Sequence, residues 1–343
     1  MDRPLLITLG DPNGIGPEVV AKALLNPPCP LQRVVVVGSA EVLGEAVRLV
    51  GGDLRPFPIA TLEQASWPPG SIPVLDPGDF PLAHLTPGRV SAQGGRASVA
   101  WVMTAGRLCL EGKALAMVTA PIHKEAVAMA GYRGMGHTEL LARLAGASKV
   151  YTMLLAGPLR VAHLTTHRSL RQACDAVTRE AVLAALRATH LQFVRWGFPN
   201  PRIGVAALNP HASDGGLLGT EEAEHIAPAV AQAQGEGILC TGPVPADIVF
   251  YQALRGRYDV VLAMYHDQGH IPIKVYGFER SVSVNIGLPF VRTSVDHGTA
   301  YDIAWQGRAM ATSMREALRL AFALAEEGRL PREEGDLATQ GRA

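Results

Sequence analysis

The sequence predicts an α/β protein built on a largely parallel sheet. Apolar runs of strand length recur at residues 5–9, 33–38, 115–119 and 260–264. They are unbroken rather than alternating, as strands buried on both faces are. Amphipathic helical stretches separate the early runs in a βαβα order, which calls for parallel strands with helices on both faces. The 343 residues are 48% apolar, enough for two domains, each with its own core.

Charge and cysteine usage narrow the class. The 31 basic and 31 acidic residues cancel and form no basic run, so neither a nucleic acid nor a membrane surface is an expected partner. Cys29, Cys109, Cys174 and Cys240 are far apart with no CxxC spacing, which argues against a disulfide framework. No apolar stretch reaches the roughly 18 residues that span a bilayer. The start, MDRPLLITLGDPNG, enters a strand and a turn instead of a signal peptide. The expectation is a soluble cytoplasmic protein.

Along the chain, the strand at 5–9 runs into Gly10-Asp11-Pro12-Asn13-Gly14-Ile15-Gly16-Pro17-Glu18 and a helix over 17–25. Pro17 suits a first helical turn. The loop either offers backbone N–H groups to an anion or is a tight turn into a helix. A strand at 33–38 and a helix at 41–50 follow. Residues 52–90 are rich in Pro and Gly, with a short strand at 72–75; a helix is expected over 93–111 and a strand over 115–119. The glycine-rich 131–136 segment leads into a helix ending near 144, with His137 at its start and Thr138 as its cap. Strands at 150–156 and 159–164, joined at Gly157-Pro158, form an antiparallel hairpin. Helices fill 169–197, with Thr178 as a cap. A strand at 202–208 precedes helices over 220–234 and around Val249, and the final amphipathic helix covers 310–327. The last dozen residues read as frayed.

The segment 265–302 is dense in polar groups and glycine and shows little helix character. Gly269 and Pro272 argue against a helix that would align His266 with His270, so His270 is set aside. Three apolar strands each deliver a histidine at or just beyond their ends: His167, His211 and His266. In open α/β sheets such ends converge on ligand sites, and three imidazoles with open positions suit a divalent metal. A structural role for each histidine is the rival reading. Asp214 and Asp267 are candidate supporting carboxylates. Lys274, Arg280 and Arg292 suit a phosphorylated or carboxylated substrate; Arg280, next to Glu279, reads better as a surface ion pair.

GDPNGIGPE at 10–18, TAPIHKEA at 119–126, GHTELLA at 136–142, HLTTHRSL at 163–170, NPHASDGGLLGTEE at 209–222, YHDQG at 265–269 and GLPFVRTSVDHGTAYDIA at 287–304 together resemble the 4-hydroxythreonine-4-phosphate dehydrogenase family over nearly the whole chain. The resemblance implies an isocitrate/isopropylmalate dehydrogenase-like fold, with subdomains at 1–125 plus 290–343 and at 126–289, a cleft between them, and a homodimer with the active site at its interface. It implies that His167, His211 and His266 hold one divalent metal ion (Zn, Mg or Co). It also implies that His137, Thr138, Lys274 and Arg292 hold a phosphorylated small-molecule substrate. The 296–304 loop is similar to the adenosine-binding loop of isopropylmalate dehydrogenases, which implies that His297, Gly298, Ala300 and Asp302 receive NAD or NADP. The implied reaction oxidises the secondary alcohol of 4-phosphohydroxy-L-threonine to a 3-oxo acid. Loss of CO2 then gives 3-amino-2-oxopropyl phosphate, in pyridoxine phosphate synthesis. Asp247, Asp267, Lys274 or a metal-bound water would manage the protons.

The chain departs from the family pattern at three places. Ser283 stands where Asn is usual, with Asn285 two residues on and on the same side if the segment is extended. Ser213-Asp214 and Leu217 alter the loop after His211, and Trp305 replaces a glycine. These leave open a sister dehydrogenase acting on D-threonate or D-erythronate 4-phosphate or on a cyclic dihydrodiol carboxylate. A metal-dependent hydrolase or aldolase, or a non-catalytic metabolite-binding protein, are more distant rivals.

Overall fold

The computed structural model describes residues 3–77 and 80–331. The strands are β1 (Leu5–Thr8), β2 (Val34–Val37), β3 (Arg55–Ile59), β4 (Ser71–Leu75), β5 (Ala116–Thr119), β6 (Tyr151–Ala156), β7 (Leu159–His163), β8 (Ile203–Ala206), β9 (Cys240–Val244), β10 (Val260–Ala263), β11 (Val282–Ile286) and β12 (Arg292–Val295). The helices are α1 (Gly16–Leu25), α2 (Ala40–Leu49), α3 (Ala92–Leu110), α4 (Lys124–Met129), α5 (His137–Ala145), α6 (Leu170–Asp175), α7 (Arg179–Arg195), α8 (Ala227–Gly235), α9 (Ala246–Leu254), α10 (His266–Gly277) and α11 (Thr312–Glu326). The chain forms two compact units, Met1–Val150 with Leu288–Glu327, and Tyr151–Gly287 with the segment from Gly328 onward. The expected fraying of the last dozen residues falls at 332–343, outside the described residues.

The first unit carries six strands in the order β3-β4-β2-β1-β5-β12, every neighbouring pair parallel. β1, β2, β5 and β12 are buried along their whole lengths, which is why their sequences run apolar without alternation. α11 packs on β12 and β5, and α3 packs on α4 and α5. Residues 126–150, assigned on sequence to the second subdomain, therefore belong with the first: α4 and α5 bury their apolar side against α3.

The second unit runs β11-β6-β7-β10-β8-β9. β6 pairs antiparallel with β7 and with β11, whereas β7, β10, β8 and β9 are parallel neighbours. The hairpin expected at Gly157-Pro158 is present, and Thr178 caps α7 by accepting the Ala181 N–H at 3.2 Å. One expectation fails. The 265–302 segment is not irregular at its start, because α10 runs from His266 to Gly277 straight through Pro272. Pro272 is the seventh helical residue, so its ring removes one bond to the turn before it. Tertiary anchors offset that loss. The Gln268 side chain accepts from Met264 N at 2.7 Å and donates to Ala207 O at 2.6 Å, and Ile273 is fully buried.

Candidate active site

In the first unit the exit of β5 is the centre of the site. Four residues within 119–123 there reach four different parts of the unit. Thr119 Oγ1 accepts from Arg292 Nε at 3.1 Å and from Arg292 Nη2 at 2.5 Å. The same hydroxyl donates to Ser294 Oγ at 3.0 Å, and Ser294 Oγ donates to the Thr119 carbonyl. The Ala120 backbone hydrogen-bonds His137. The Pro121 carbonyl accepts the Asp11 N–H at 2.8 Å. The His123 ring stacks on Tyr301, with centroids 4.6 Å apart.

This places the expected anion-binding residues together. Arg292 is 3% exposed, and burial lowers its pKa to about 9 against the support of the Glu139 carboxylate. His137 opens α5, and burial, then the Arg292 charge, push its pKa well below the usual histidine range. It is therefore a neutral imidazole at ordinary pH. Its Nε2 is buried and makes no hydrogen bond among the described residues. A buried guanidinium beside an unsatisfied ring nitrogen at a helix start suits an anionic oxygen group. Thr138 is the second helical residue and not the cap: Gly136 takes that position, and the Glu139 carboxylate accepts the Gly136 N–H at 2.8 Å.

The glycine loop after β1 does not serve as an anion cradle. Its N–H groups are already committed: Asn13 N donates to Asp11 Oδ1 at 2.9 Å, Gly14 N to Asp11 O, and Ile15 N to Thr299 O at 3.0 Å. The loop is a seat for the segment after β12. A Cβ on Gly14 would stand 2.9 Å from Thr299, so only glycine admits this approach. In the seated segment Gly298 and Asp302 are exposed, His297 is half-buried, and Ala300 takes φ +39. A Cβ on Gly298 would meet nothing within 4 Å. An exposed carboxylate at Asp302 beside an open backbone at Gly298 is chemistry that fits a ribose diol.

In the second unit α10 presents its histidines at its first and fifth positions. His266 Nδ1 lies 2.7 Å from Asp267 Oδ1, which makes Nε2 the nitrogen with a lone pair for a metal. The His167 and His266 ring centroids are 5.8 Å apart. His270, set aside on sequence, stacks on His266 with centroids 3.5 Å apart, and tilts against buried His163 at 4.6 Å. His163 Nδ1 donates to Thr152 O at 3.2 Å. This packing requires Gly269, where a Cβ would stand 2.3 Å from His163 Nε2.

His211 does not join that set. It starts a run of left-handed residues, His211, Ala212, Ser213, Asp214 and Gly215, with φ between 47 and 69. The run is anchored from below by buried Glu222, which accepts the Leu208 and Asn209 N–H groups at 2.8 and 2.7 Å. Among the described residues no group of three or more His, Cys, Asp or Glu side chains is gathered for a metal ion. The donor chemistry of His167 and His266 fits a divalent metal; the three-histidine set is not assembled.

The other expected residues are spread over the second unit. Lys274 Nζ lies 3.4 Å from Ser281 Oγ and 4.9 Å from the Phe278 ring centroid. Ser283 is half-buried and Asn285 is buried, on the same face of β11. Asp247, in the first turn of α9, and Arg280 are exposed. Sequence reasoning missed Asp11, Thr119, His123, Tyr301, His163 and His270 as participants. All except His270 were polar or aromatic residues inside quoted motifs, without a neighbour along the chain to reveal a partner. A cavity of about 1050 Å³ lies elsewhere in the first unit, lined in part by Glu41, Arg48, Asp76 and Phe80, and contains none of the expected residues. No helix among the described residues is long and apolar enough to cross a membrane.

The chain is similar to known proteins over nearly its whole length. A family model described as pyridoxal phosphate biosynthetic protein PdxA matches residues 30–321. The chain is 46% identical over 322 residues to a 4-hydroxythreonine-4-phosphate dehydrogenase of Geobacter metallireducens, covering 94% of this chain and 95% of that one. It is 49% identical over 325 residues to a D-threonate 4-phosphate dehydrogenase of Bordetella bronchiseptica, covering 94% and 92%. A solved 4-hydroxythreonine-4-phosphate dehydrogenase from Klebsiella pneumoniae superposes with a TM-score of 0.87 at 43% identity, covering 95% and 98%. A terephthalate 1,2-cis-dihydrodiol dehydrogenase from Burkholderia xenovorans superposes at 0.63 with 29% identity, covering 96% and 99%. The chain is an oxidoreductase with the α/β fold of the solved 4-hydroxythreonine-4-phosphate dehydrogenases, and it belongs to the PdxA family.

Proposed function

We propose that the protein oxidises the secondary alcohol of 4-phosphohydroxy-L-threonine with NAD or NADP, and that the 3-oxo acid loses CO2 to give 3-amino-2-oxopropyl phosphate for pyridoxine phosphate synthesis. The observation that carries the reading is the buried pair of Arg292 and neutral His137 at the β5 exit, a ready receptor for a phosphate or carboxylate. A second substrate, D-threonate 4-phosphate, is favoured by the 49% identity to the Bordetella enzyme and by Ser283 in place of the usual Asn. Both are four-carbon 3-hydroxy acids with a 4-phosphate, so the same chemistry serves either.

A divalent metal and a nicotinamide cofactor, when bound, supply Lewis-acid polarisation of the reacting oxygen and a hydride acceptor. The chain's own residues bind, orient and move protons. Arg292 donates its fork to an anionic oxygen, held in aim by Thr119. His137 stays neutral with its one N–H given to the Ala120 backbone, so its Nε2 accepts an O–H without adding charge, and Thr138 adds a hydroxyl. His167, His211 and His266 are the proposed metal ligands, and imidazoles favour zinc over magnesium. Asp267 fixes the His266 tautomer and ring. Lys274 brings a cation toward substrate, and Ser283 or Asn285 contacts it. Asp247 and Lys274 are the groups proposed to carry the alcohol proton. His297, Gly298, Ala300 and Asp302 are proposed to take the cofactor.

The reading includes a homodimer. Ile271, Val275 and Phe278 are exposed at 59%, 82% and 69% and follow one face of α10, the helix that carries His266 and Lys274. A second copy would cover this stripe; a monomer by analytical ultracentrifugation at working concentration contradicts that part. The function is tested by following NADH formation with each substrate, with added Zn2+ or Mg2+ and with EDTA. Metal-dependent reduction of the cofactor with 4-phosphohydroxy-L-threonine supports the first reading. Signal with D-threonate 4-phosphate alone keeps the mechanism and changes the substrate. Silence with both sinks the dehydrogenase assignment for these substrates.

A further inference from the structure

We propose that Tyr301, through its hydrogen bond to Asp11 and its stack on His123, is a positioning residue that holds the 296–304 loop ready for the adenosine half of a nicotinamide cofactor. The inference rests on the cofactor reading above.

The three residues come from three strand exits that the topology brings side by side. β1, β5 and β12 are consecutive parallel neighbours in the sheet. Asp11 follows β1, His123 follows β5 and Tyr301 follows β12. The carboxyl ends of parallel strands are where ligands bind in open α/β sheets. Here each of three adjacent ends contributes one side chain to a single contact set. Tyr301 Oη donates to Asp11 Oδ2 at 2.7 Å, and the His123 and Tyr301 rings lie nearly parallel at 13°.

A purely structural cluster would not be expected to use these residue types. Asp11 is 0% exposed, and burying a carboxyl costs free energy unless it is well hydrogen-bonded. An apolar residue would seal the same spot at lower cost. Both Asp11 oxygens are occupied, Oδ1 by the Asn13 N–H and Oδ2 by the Tyr301 hydroxyl. From outside the loop the His123 ring stacks on Tyr301, and its Nδ1 is buried and makes no hydrogen bond among the described residues.

The tie also acts on a segment that is under strain. Ala300 and Trp305 take φ +39 and +60, conformations that non-glycine residues keep only when their surroundings hold them there. Three bonds supply that hold. Ile15 N donates to Thr299 O at 3.0 Å, Tyr301 Oη to Asp11, and Trp305 Nε1 to Pro12 O at 2.9 Å. Two are made by side chains, and along the chain Tyr301 lies between Gly298 and Trp305, directly before Asp302. Pre-ordering a loop raises affinity by removing the ordering cost from the binding step. Tyr301 therefore acts on the cofactor without needing to touch it.

The test uses Tyr301→Phe, which keeps the ring stack and removes only the hydrogen bond, with His123→Ala as a second variant that keeps the bond and removes the stack. Two quantities are read: amide hydrogen exchange over 296–305 in the ligand-free protein, and NADH affinity by fluorescence titration. For Tyr301→Phe, exchange in the loop should quicken and the NADH Kd should rise roughly three- to tenfold, the size of one ordinary hydrogen bond lost. KM for the phosphorylated substrate should stay within about twofold, because Arg292 and His137 are untouched. His123→Ala should shift both readouts in the same direction. Faster loop exchange with an unchanged NADH Kd in both variants overturns the positioning role while leaving the cofactor reading standing. A wild-type protein that binds neither NADH nor NADPH overturns the cofactor reading, and this inference falls with it.

Discussion

The β5 exit of the first unit and the histidine set of the second are built in opposite ways. At the β5 exit the groups are buried and hydrogen-bonded to one another. Arg292, Thr119 and Ser294 form one hydrogen-bonded set and Asp11 and Tyr301 another, at the ends of neighbouring parallel strands. In the second unit His163 is buried, His266 and His270 are half-buried, and His167 and His211 are exposed, with His211 on a left-handed turn. The difference follows from what positions each group. Adjacent strand exits in register are rigid, so their side chains meet without a ligand. Residues delivered by a loop after β7, a strained turn after β8 and the start of α10 have separate supports.

The comparison can be broken by substitution. His211→Ala should reduce turnover by at least about a thousandfold and lower metal content, with the fold unchanged by circular dichroism; full activity with metal still bound removes His211 from the ligand set. Arg292→Lys keeps the charge and loses the fork. It should lower kcat/KM by about a hundredfold, mostly through KM for the phosphorylated substrate. An unchanged KM would take the anion away from this residue.

Gly269→Ala isolates packing in the histidine set. Alanine in place of glycine within a helix ordinarily stabilises by about 0.5–1 kcal/mol. Here the new methyl would meet His163 Nε2 at 2.3 Å, so overpacking costing about 1–3 kcal/mol should win. Thermal unfolding checks the sign: a raised Tm would mean that the rings move apart freely.

His163 predicts a pH effect. Burial, then the neighbouring His270, hold its pKa at about 3 against 6.5 in the free side chain. Between those values the unfolded chain binds a proton that the folded one does not. Stability should therefore fall as pH drops below about 6.5, by up to about 1.4 kcal/mol per unit from this residue. His163→Gln should flatten that slope in urea unfolding measured at pH 7 and pH 5, and equal slopes would refute the assignment. The smallest effect is expected at Ser213, which holds φ +65. Ser213→Gly should relieve left-handed strain and raise stability by at most about 1 kcal/mol; a clear loss would show that the Ser213 side chain, 3% exposed, is packed to advantage.

Much of the fold was legible because its signals are local. The unbroken apolar runs at β1, β2, β5 and β10 could only be buried strands, and Gly157-Pro158 between two apolar runs could only close a hairpin. Thr178 announced its helix by its own chemistry. α10 was misread for an equally local reason. Pro272 and Gly269 argue against a helix when read along the chain, and the anchors that outweigh them, Ala207 and Met264 on the Gln268 side chain, are remote or invisible in sequence. Thr138 was mistaken for a cap because Glu139, which reaches back to Gly136, fits the pattern one residue earlier.

By itself the sequence determined the α/β class, the parallel register of the buried strands, the membership carried by its long motifs, and which residue types were available for anion, metal and cofactor. Those depend on periodicity and on side-chain chemistry, which neighbours along the chain set. Only the tertiary structure decided that Asp11, His123 and Tyr301 meet, that Arg292 is held by Thr119, that the glycine loop seats another loop instead of an anion, and that His270 stacks on His266. Each of these joins residues up to 290 positions apart, and contacts of that kind are settled by which strands become neighbours in the sheet.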